Sequence, residues 1–303
     1  MKKYLIVPVI ALAACSGSPE RPPPPEPLAD ARAMHELAAE AFDAGRYRDA
    51  IAGFRDAERR FLSVDDPHGI AVAAISQAEI QLLLGENDDA TRSLQRARTA
   101  ASRTGNSRLR ERAQLLQARL AMNGDTATAR QILNGLSATT TPSIATQVRL
   151  LSCELEMRRG ETECAAGLVA DDARTAARIA HLQARAALDR GDEDAAGLLL
   201  ERALTNYRAL AFRPGIAAVH EAKAALARRS GNHESARAHL ERALYLRLWI
   251  RDRVHSAEVL AQLAELANGD AMRERYRRWR TVLLDESAEP DWEEMMAPLF
   301  SSR

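Results

Sequence analysis

The chain has almost no lysine, few aromatic residues, no net charge and no hydrophobic run long enough to cross a membrane. Each shortage excludes something. Its 303 residues carry 42 basic and 42 acidic side chains, so there is no basic excess to attract nucleic acid or an anionic membrane surface. Aromatics make up 4%, and alternating runs of Val, Ile and Thr are missing, which argues against strands. After Lys2 and Lys3 the only lysine is Lys223. The other basic residues are arginines dispersed along the chain, which reads as base composition rather than phosphate recognition. Alanine fills the space between leucines; it is the best helix former and lets helices pack closely. The class is all-α.

Catalytic patterns are absent as well. No HExxH occurs, and no two of the seven histidines lie three or four residues apart, the spacing that shares a helix face. His233 and His239 fall on different sides of a helix. There is no P-loop and no GxSxG elbow. Paired carboxylates such as Asp88-Asp89 and Asp171-Asp172 sit at helix starts, where the dipole favours them. The expectation is no enzyme, no cofactor and no metal.

The chain begins with Lys2 and Lys3, followed by eleven uncharged residues, Tyr4 to Ala14. A spanning helix needs about 20, so the run fits the apolar part of an export signal. It ends in Leu12-Ala13-Ala14-Cys15, which resembles the bacterial lipobox. That resemblance implies removal of residues 1–14, acylation of Cys15, and, with Ser16 following, an address on the periplasmic face of the outer membrane rather than the inner. The plain alternative is an ordinary signal with an incidental cysteine. The stretch "PERPPPPEP" lacks backbone donors and disfavours helix. Residues 15–29 read as an extended stalk, Ser16 to Leu28 reaching on the order of 40 Å; a ligand for a proline-recognising domain is the lesser reading.

Self-similarity organises the rest. Six windows align without gaps from Gly45, Gly85, Gly124, Gly160, Gly191 and Gly231. Their sixth residue is always alanine: Ala50, Ala90, Ala129, Ala165, Ala196 and Ala236. Their tenth is always apolar: Phe54, Leu94, Leu133, Val169, Leu200 and Leu240. Seven residues before the glycine stand Ala38, Ala78, Cys153, Ala184 and Ala224, with Gln117 the exception. The glycine is expected to end one helix in the left-handed conformation, and the polar residues after it to start the next. This spacing resembles the tetratricopeptide repeat. Successive glycines lie 40, 39, 36, 31 and 40 residues apart, longer than the common form and similar to a variant of bacterial regulators and adaptors. The resemblance covers 30–284, with a seventh unit from Arg253 that turns at Asn268-Gly269. It implies a right-handed superhelical solenoid of antiparallel helix pairs, six to seven repeats long, whose first helices line a concave face.

Such a face binds peptides or partner helices, and the candidate groove residues are Arg149, Glu154, Arg158, His181 and Arg185. Cys153 and Cys164 fall near the close helix contact of the fourth unit; they form either a disulfide or two small buried thiols. In "MRERYRRWRTVLL" the stripe Met272, Tyr276, Trp279 and Leu283 is expected to pack on the preceding repeat. The acidic tail 285–303 holds a short amphipathic segment, Trp292, Met295, Met296 and Leu299, started by Asp291 and Glu294. It either docks on its own solenoid or serves a partner. The function expected is a lipid-anchored periplasmic scaffold for protein or peptide partners in envelope assembly, with a ligand-responsive sensor as the alternative.

Overall fold

A computed structural model describes residues 27–139 and 141–300. The signal-like segment, Cys15 and the stretch up to Glu26 lie outside the described residues. Among those described there are fourteen α-helices and no strand. They run as antiparallel pairs, α1 Pro27–Asp43 with α2 Tyr47–Ser63, α3 Pro67–Leu83 with α4 Asn87–Arg103, and α5 Ser107–Ala121 with α6 Thr126–Leu136. After α7 Pro142–Met157 come α8 Ala173–Asp189 with α9 Glu193–Ala209, α10 Arg213–Arg229 with α11 His233–Trp249, and α12 Arg253–Glu265 with α13 Asp270–Leu284. A short α14, Trp292–Phe300, closes the chain. The architecture is an all-α solenoid of about seven repeats. No described helix is long and apolar enough to cross a membrane.

Its regularity comes from a half-repeat of twenty residues. The helices of the first, second, fifth and sixth pairs are each 17 residues long. Between them the chain reverses through one residue at positive φ. Within pairs that residue is Gly45, Gly85, Gly191 or Gly231; twenty positions later, between pairs, it is Asp65, Gly105, Ala211 or Arg251. Polar residues beyond these turns cap the next helix: Asp192 Oδ1 accepts from Ala195 N at 3.0 Å, and Asn232 Oδ1 from Ser235 N at 3.0 Å. All six sixth-position alanines are buried. Ala78 and Ala90 share one buried cluster, and Ala224 and Ala236 another. In the first pair a Cβ on Gly53 would come within 2.9 Å of Ala38 Cβ, so the helix axes approach to the limit that small residues allow.

Four expectations need correction. Pro27, Leu28 and Ala29 belong to α1, not the stalk, because proline is tolerated in the first helical turn. Gly124 is absent from the positive-φ turns; α5 is two residues shorter than its counterparts and the chain turns through 3-10-type bonds. The fourth unit has no second helix. Only 31 residues separate Gly160 from Gly191 and α8 takes 17 of them, leaving a 3-10 turn, Glu163–Gly167, with Val169 69% exposed. Met272 also leaves its stripe, 38% exposed, while Tyr276, Trp279 and Leu283 are buried.

The tail docks in cis. Asp291 caps α14 by accepting from Glu294 N at 2.9 Å, and Met295 and Leu299 enter the cluster built by α11, α12 and α13. Arg253 stitches the preceding turn, donating to the carbonyls of Leu283 (2.9 Å), Val282 and Ala288 (both 3.1 Å).

The solenoid curls until its early turns meet its late ones. Arg48 donates to Arg251 O at 2.9 Å and pairs with Glu86. Arg213 reaches Ala44 O at 3.3 Å. Ile250 is buried among Tyr47, Phe54, Ile80 and Leu84. Behind this seam Arg247, 5% exposed, bonds Glu221 at 3.0 Å and the fully buried Asp252 at 3.1 Å. Burial opposes its charge, but the two carboxylates outweigh that and raise its pKa.

Gly85 and Gly231 test the seam against the repeat, because both have positive φ near the same value, 73° and 71°. Gly231→Ala meets open space and costs only the left-handed strain, about 1–2 kcal/mol. A Cβ on Gly85 would lie 3.0 Å from Val254 and 3.3 Å from His255. Gly85→Ala is therefore expected to be the more destabilising by about 1 kcal/mol or more in urea unfolding. Equal losses would mean that the seam contributes nothing.

Candidate functional site

Closure turns the concave face into a cavity of about 830 Å³ lined by the first helices α3, α5, α7, α8 and α10 and reached by α1, α9 and α12. Seven arginines and four carboxylates line it, so its wall carries an excess of positive charge. Six of the arginines form two matched stripes, and the seventh is Arg247 of α11. Arg108, Arg112 and Arg119 lie on α5, and Arg174, Arg178 and Arg185 on α8, each set spaced four and then seven residues. Eleven residues are three helical turns, which keeps each set on one face.

The middle arginine of each stripe is neutralised within the wall. Arg112 pairs with Glu79 at 2.6 Å; Arg178 pairs with Glu154 at 2.7 Å and donates to Gln147 at 2.8 Å. The outer four have no ion pair with a described residue. Arg174 lies over the rings of Phe212 (4.7 Å) and Phe42 (5.5 Å), a pair of cation–π contacts that bridges α1 to α9 and α10. Arg119 is the most deeply placed. Burial first, and Arg178 second, lower its pKa, while Glu154, Glu79 and Tyr207 act on it in the opposite direction. Burial also opposes ionisation of Glu154, yet Arg178 and Arg119 overcome it and hold that carboxyl below its usual range. Arg185 adds to the same effect, so three guanidinium groups surround one carboxylate.

Tyr207 projects from the end of α9 toward these groups. It fits because Gly215 has no side chain: a Cβ there would come within 2.5 Å of the tyrosine ring. Burial pushes its phenol up to about 12, so it stays a neutral hydrogen-bond donor. His181, beside Glu154 and Arg185, is lowered to about 4 by burial and then by Arg185, and is neutral in the cavity at pH 7.

Of the sequence-selected groove residues, Glu154, His181 and Arg185 line the cavity. Arg149 and Arg158 do not. Arg149 is exposed on the other side of α7, 3.4 Å from Thr146 Oγ1, and Arg158 donates to the carbonyl of Met122 at the helix end. The residues missed were Arg108, Arg112, Arg119, Arg174, Arg178 and Tyr207. A signal existed for the arginines in their repeated four-and-seven spacing. Tyr207 left none, since its position depends on the seating of α10. Cys153 and Cys164 form a disulfide, with Cα atoms 5.5 Å apart, that ties the 3-10 turn to α7. Among the described residues no three His, Cys, Asp or Glu side chains gather as a metal cluster.

No family model and no curated protein matches the chain. Among solved structures it is similar to BtubC (BKLC) from P. vanneervenii, with 15% identity, a TM-score of 0.35, and coverage of 86% of this chain and 94% of that one. Likeness at that score carries no argument about fold or function.

The histidines set a pH dependence. Burial lowers His181 and His220 to about 4 and also lowers His35 and His239. His220 and His239 stack with their Nδ1 atoms 3.2 Å apart. A lowered histidine pKa means that the unfolded chain binds more protons below its own value of about 6.5. Stability is thus complete above pH 6.5 and is lost as pH falls toward 4. Thermal melts at pH 7.5 and pH 5 should differ by several degrees, with the acid sample lower, and His220→Gln should narrow the gap. A melting temperature unchanged over that interval contradicts this account.

Proposed function

We propose that the protein is a lipid-tethered binding module of the bacterial cell envelope that captures a peptide segment of a partner inside its solenoid. Three features support this reading. The Leu12-Ala13-Ala14-Cys15 stretch resembles a lipobox, so acyl chains on Cys15 would anchor the chain, each buried CH₂ contributing about 0.8 kcal/mol. The glycine, alanine and apolar spacing resembles tetratricopeptide repeats, whose inner faces serve as binding surfaces. The observation that carries the reading is the open-mouthed cavity, which is built from almost every repeat and falls in the size range of ligand sites. Its wall offers recognition groups without an arranged nucleophile, base and orienting partner. The partners are proteins or peptides of the envelope, met on the periplasmic face of the outer membrane.

A second reading, a ligand-responsive sensor, is favoured by one specific feature. The cavity wall includes Phe42 of α1 and His255 of α12, which belong to opposite sides of the seam. An occupant touching both would bias the seam, and its differential affinity for closed and open forms would set the size of the response.

Two variants test the proposal. Cys15→Ala should abolish incorporation of an alkynyl fatty acid and release the chain from the membrane fraction. Ala218→Trp fills the cavity from α10 without changing charge, and should remove whatever co-purifies with the full-length protein extracted in detergent. A Cys15→Ala chain that stays in the membrane sinks the tether. A partner retained by Ala218→Trp sinks the cavity as the binding site.

A further inference from the structure

One place in the half-repeat is filled by Phe61 on α2 and by Tyr207 on α9, each the fifteenth residue of a 17-residue helix. Eight positions on, Gly69 and Gly215 make room for the ring, and a Cβ on either glycine would overlap it. Both rings are buried, 4% and 5% exposed. Phe61 shows that this packing asks for no hydroxyl. Among the described residues Tyr207 is the only tyrosine lining the cavity, and its hydroxyl has no hydrogen-bond partner there. An occupant that displaces solvent from it must supply an acceptor, because a buried donor left without one is costly.

The charge around that hydroxyl selects the acceptor. Arg108 and Arg174 share their end of the cavity with Asp171 and Asp172, and Arg247 is completed by Glu221 and Asp252. Arg112 and Arg178 hold Glu79 and Glu154. Arg119 feels both of these carboxylates and Arg185 feels Glu154, but each carboxylate is already bonded to another guanidinium. Four arginines thus share two carboxylates, and this part of the wall is net positive. Tyr207 belongs to the same group, since Arg178, Glu154 and Arg119 act on its phenol in that order. Beside it the wall turns apolar, with the Phe212 ring 5.7 Å away and Leu151 and Leu182 in the lining.

We infer that the cavity recognises a single carboxylate carried on an apolar group, one oxygen accepting from the Tyr207 hydroxyl and the other from Arg119, with the apolar group against Phe212. This rests on reading the cavity as the binding site. Both hydrogen bonds are charge-assisted, the stronger kind. Two sources share the chemistry: an acidic side chain beside an apolar residue in a peptide, and a free aryl or alkyl carboxylic acid.

The test titrates para-fluorophenylacetate, and its uncharged counterpart para-fluorophenylacetamide, into the full chain in detergent, with detergent alone as the blank. Fluorine NMR line width reports binding. The acid should bind saturably and roughly tenfold or more tightly than the amide, with affinity falling as salt rises. Tyr207→Phe and Arg119→Gln should each weaken it roughly tenfold, as expected for losing a hydrogen bond to a charged group. Arg149→Gln, outside the cavity, should not. Phe61 in the equivalent place makes Tyr207→Phe a substitution that the fold already accommodates, so the test survives if Arg119→Gln fails to fold. End-blocked Phe-Glu-Phe and Phe-Gln-Phe then separate the sources. Displacement of the probe by the glutamate peptide alone assigns the carboxylate to a peptide side chain; displacement by neither assigns it to a free acid.

No saturable binding of the acid, equal binding of acid and amide, equal displacement by the two peptides, or full affinity in Tyr207→Phe would each overturn the inference. None of these touches the cavity as the site of the co-purifying partner, which Ala218→Trp tests. A probe still bound by Ala218→Trp overturns the inference and the cavity together.

Discussion

Small residues facing each other across every helix pair are the contact from which the molecule's shape follows. Ala50, Ala90, Ala196 and Ala236 are fully buried, and at such contacts helix axes lie at the short end of the usual 8–10 Å range. Bulky residues four positions on, such as Leu94, Leu200 and Leu240, then hold the next pair further away. Each unit is a wedge. Where helices are equally long and turns recur every twenty residues, the wedge repeats with the same angle and curvature accumulates. The late turns therefore come round to the early ones, and Ile250 is buried beside Leu84 although 166 positions separate them. The seam and the cavity are both consequences of the wedge.

The buried charges differ in a way that separates support from recognition. Arg247 lies next to the seam with Glu221 and Asp252 completing it, and its raised pKa reflects a guanidinium more comfortable in the fold than in water. Removing one member of such a group costs about 3–5 kcal/mol, because the other charge is left buried and alone. Arg119 is only partly buried, and burial and Arg178 lower its pKa although Glu154 and Glu79 act in the opposite direction. It has no ion pair with a described residue beyond the field of Glu154 and Glu79, and its guanidinium stays open to the cavity. The same fold thus gives one arginine two carboxylate partners and leaves the other facing the cavity.

The repeat was legible because its signals are local. A turn glycine, an alanine five residues on and an apolar residue four further on are separated by less than one helix, and all six units carry them. The departures were legible only in part. The 31-residue gap after Gly160 was visible in the sequence, yet the aligned Ala165 and Val169 matched the pattern and hid the loss of a helix. Ala165 remains buried beside Cys153 while Val169 faces solvent, so half of the local signal was kept for a different reason. The curl of the solenoid was not legible. It depends on Arg48, Arg213 and Ile250, which occupy no repeat position, and on angles that sum over all units. The arginine stripes lay between these cases: their spacing is periodic, but an arginine-rich composition conceals it, and only the assembled wall shows which arginines pair with a carboxylate.

The fourth unit departs furthest from the repeat. Where other first helices bury a face against a 17-residue partner, α7 has only a 3-10 turn, tied by the Cys153–Cys164 disulfide and by Gln183, which donates to Ala165 O at 3.0 Å. A cross-link closing so short a loop contributes about 3 kcal/mol or somewhat less by restricting the unfolded chain, comparable to burying one or two large aliphatic side chains. It therefore substitutes for part of the missing helix. That substitution is useful only where thiols oxidise, outside the reducing cytosol. The disulfide of the fourth repeat is thus compatible with the envelope address proposed above, on grounds unrelated to the lipobox resemblance.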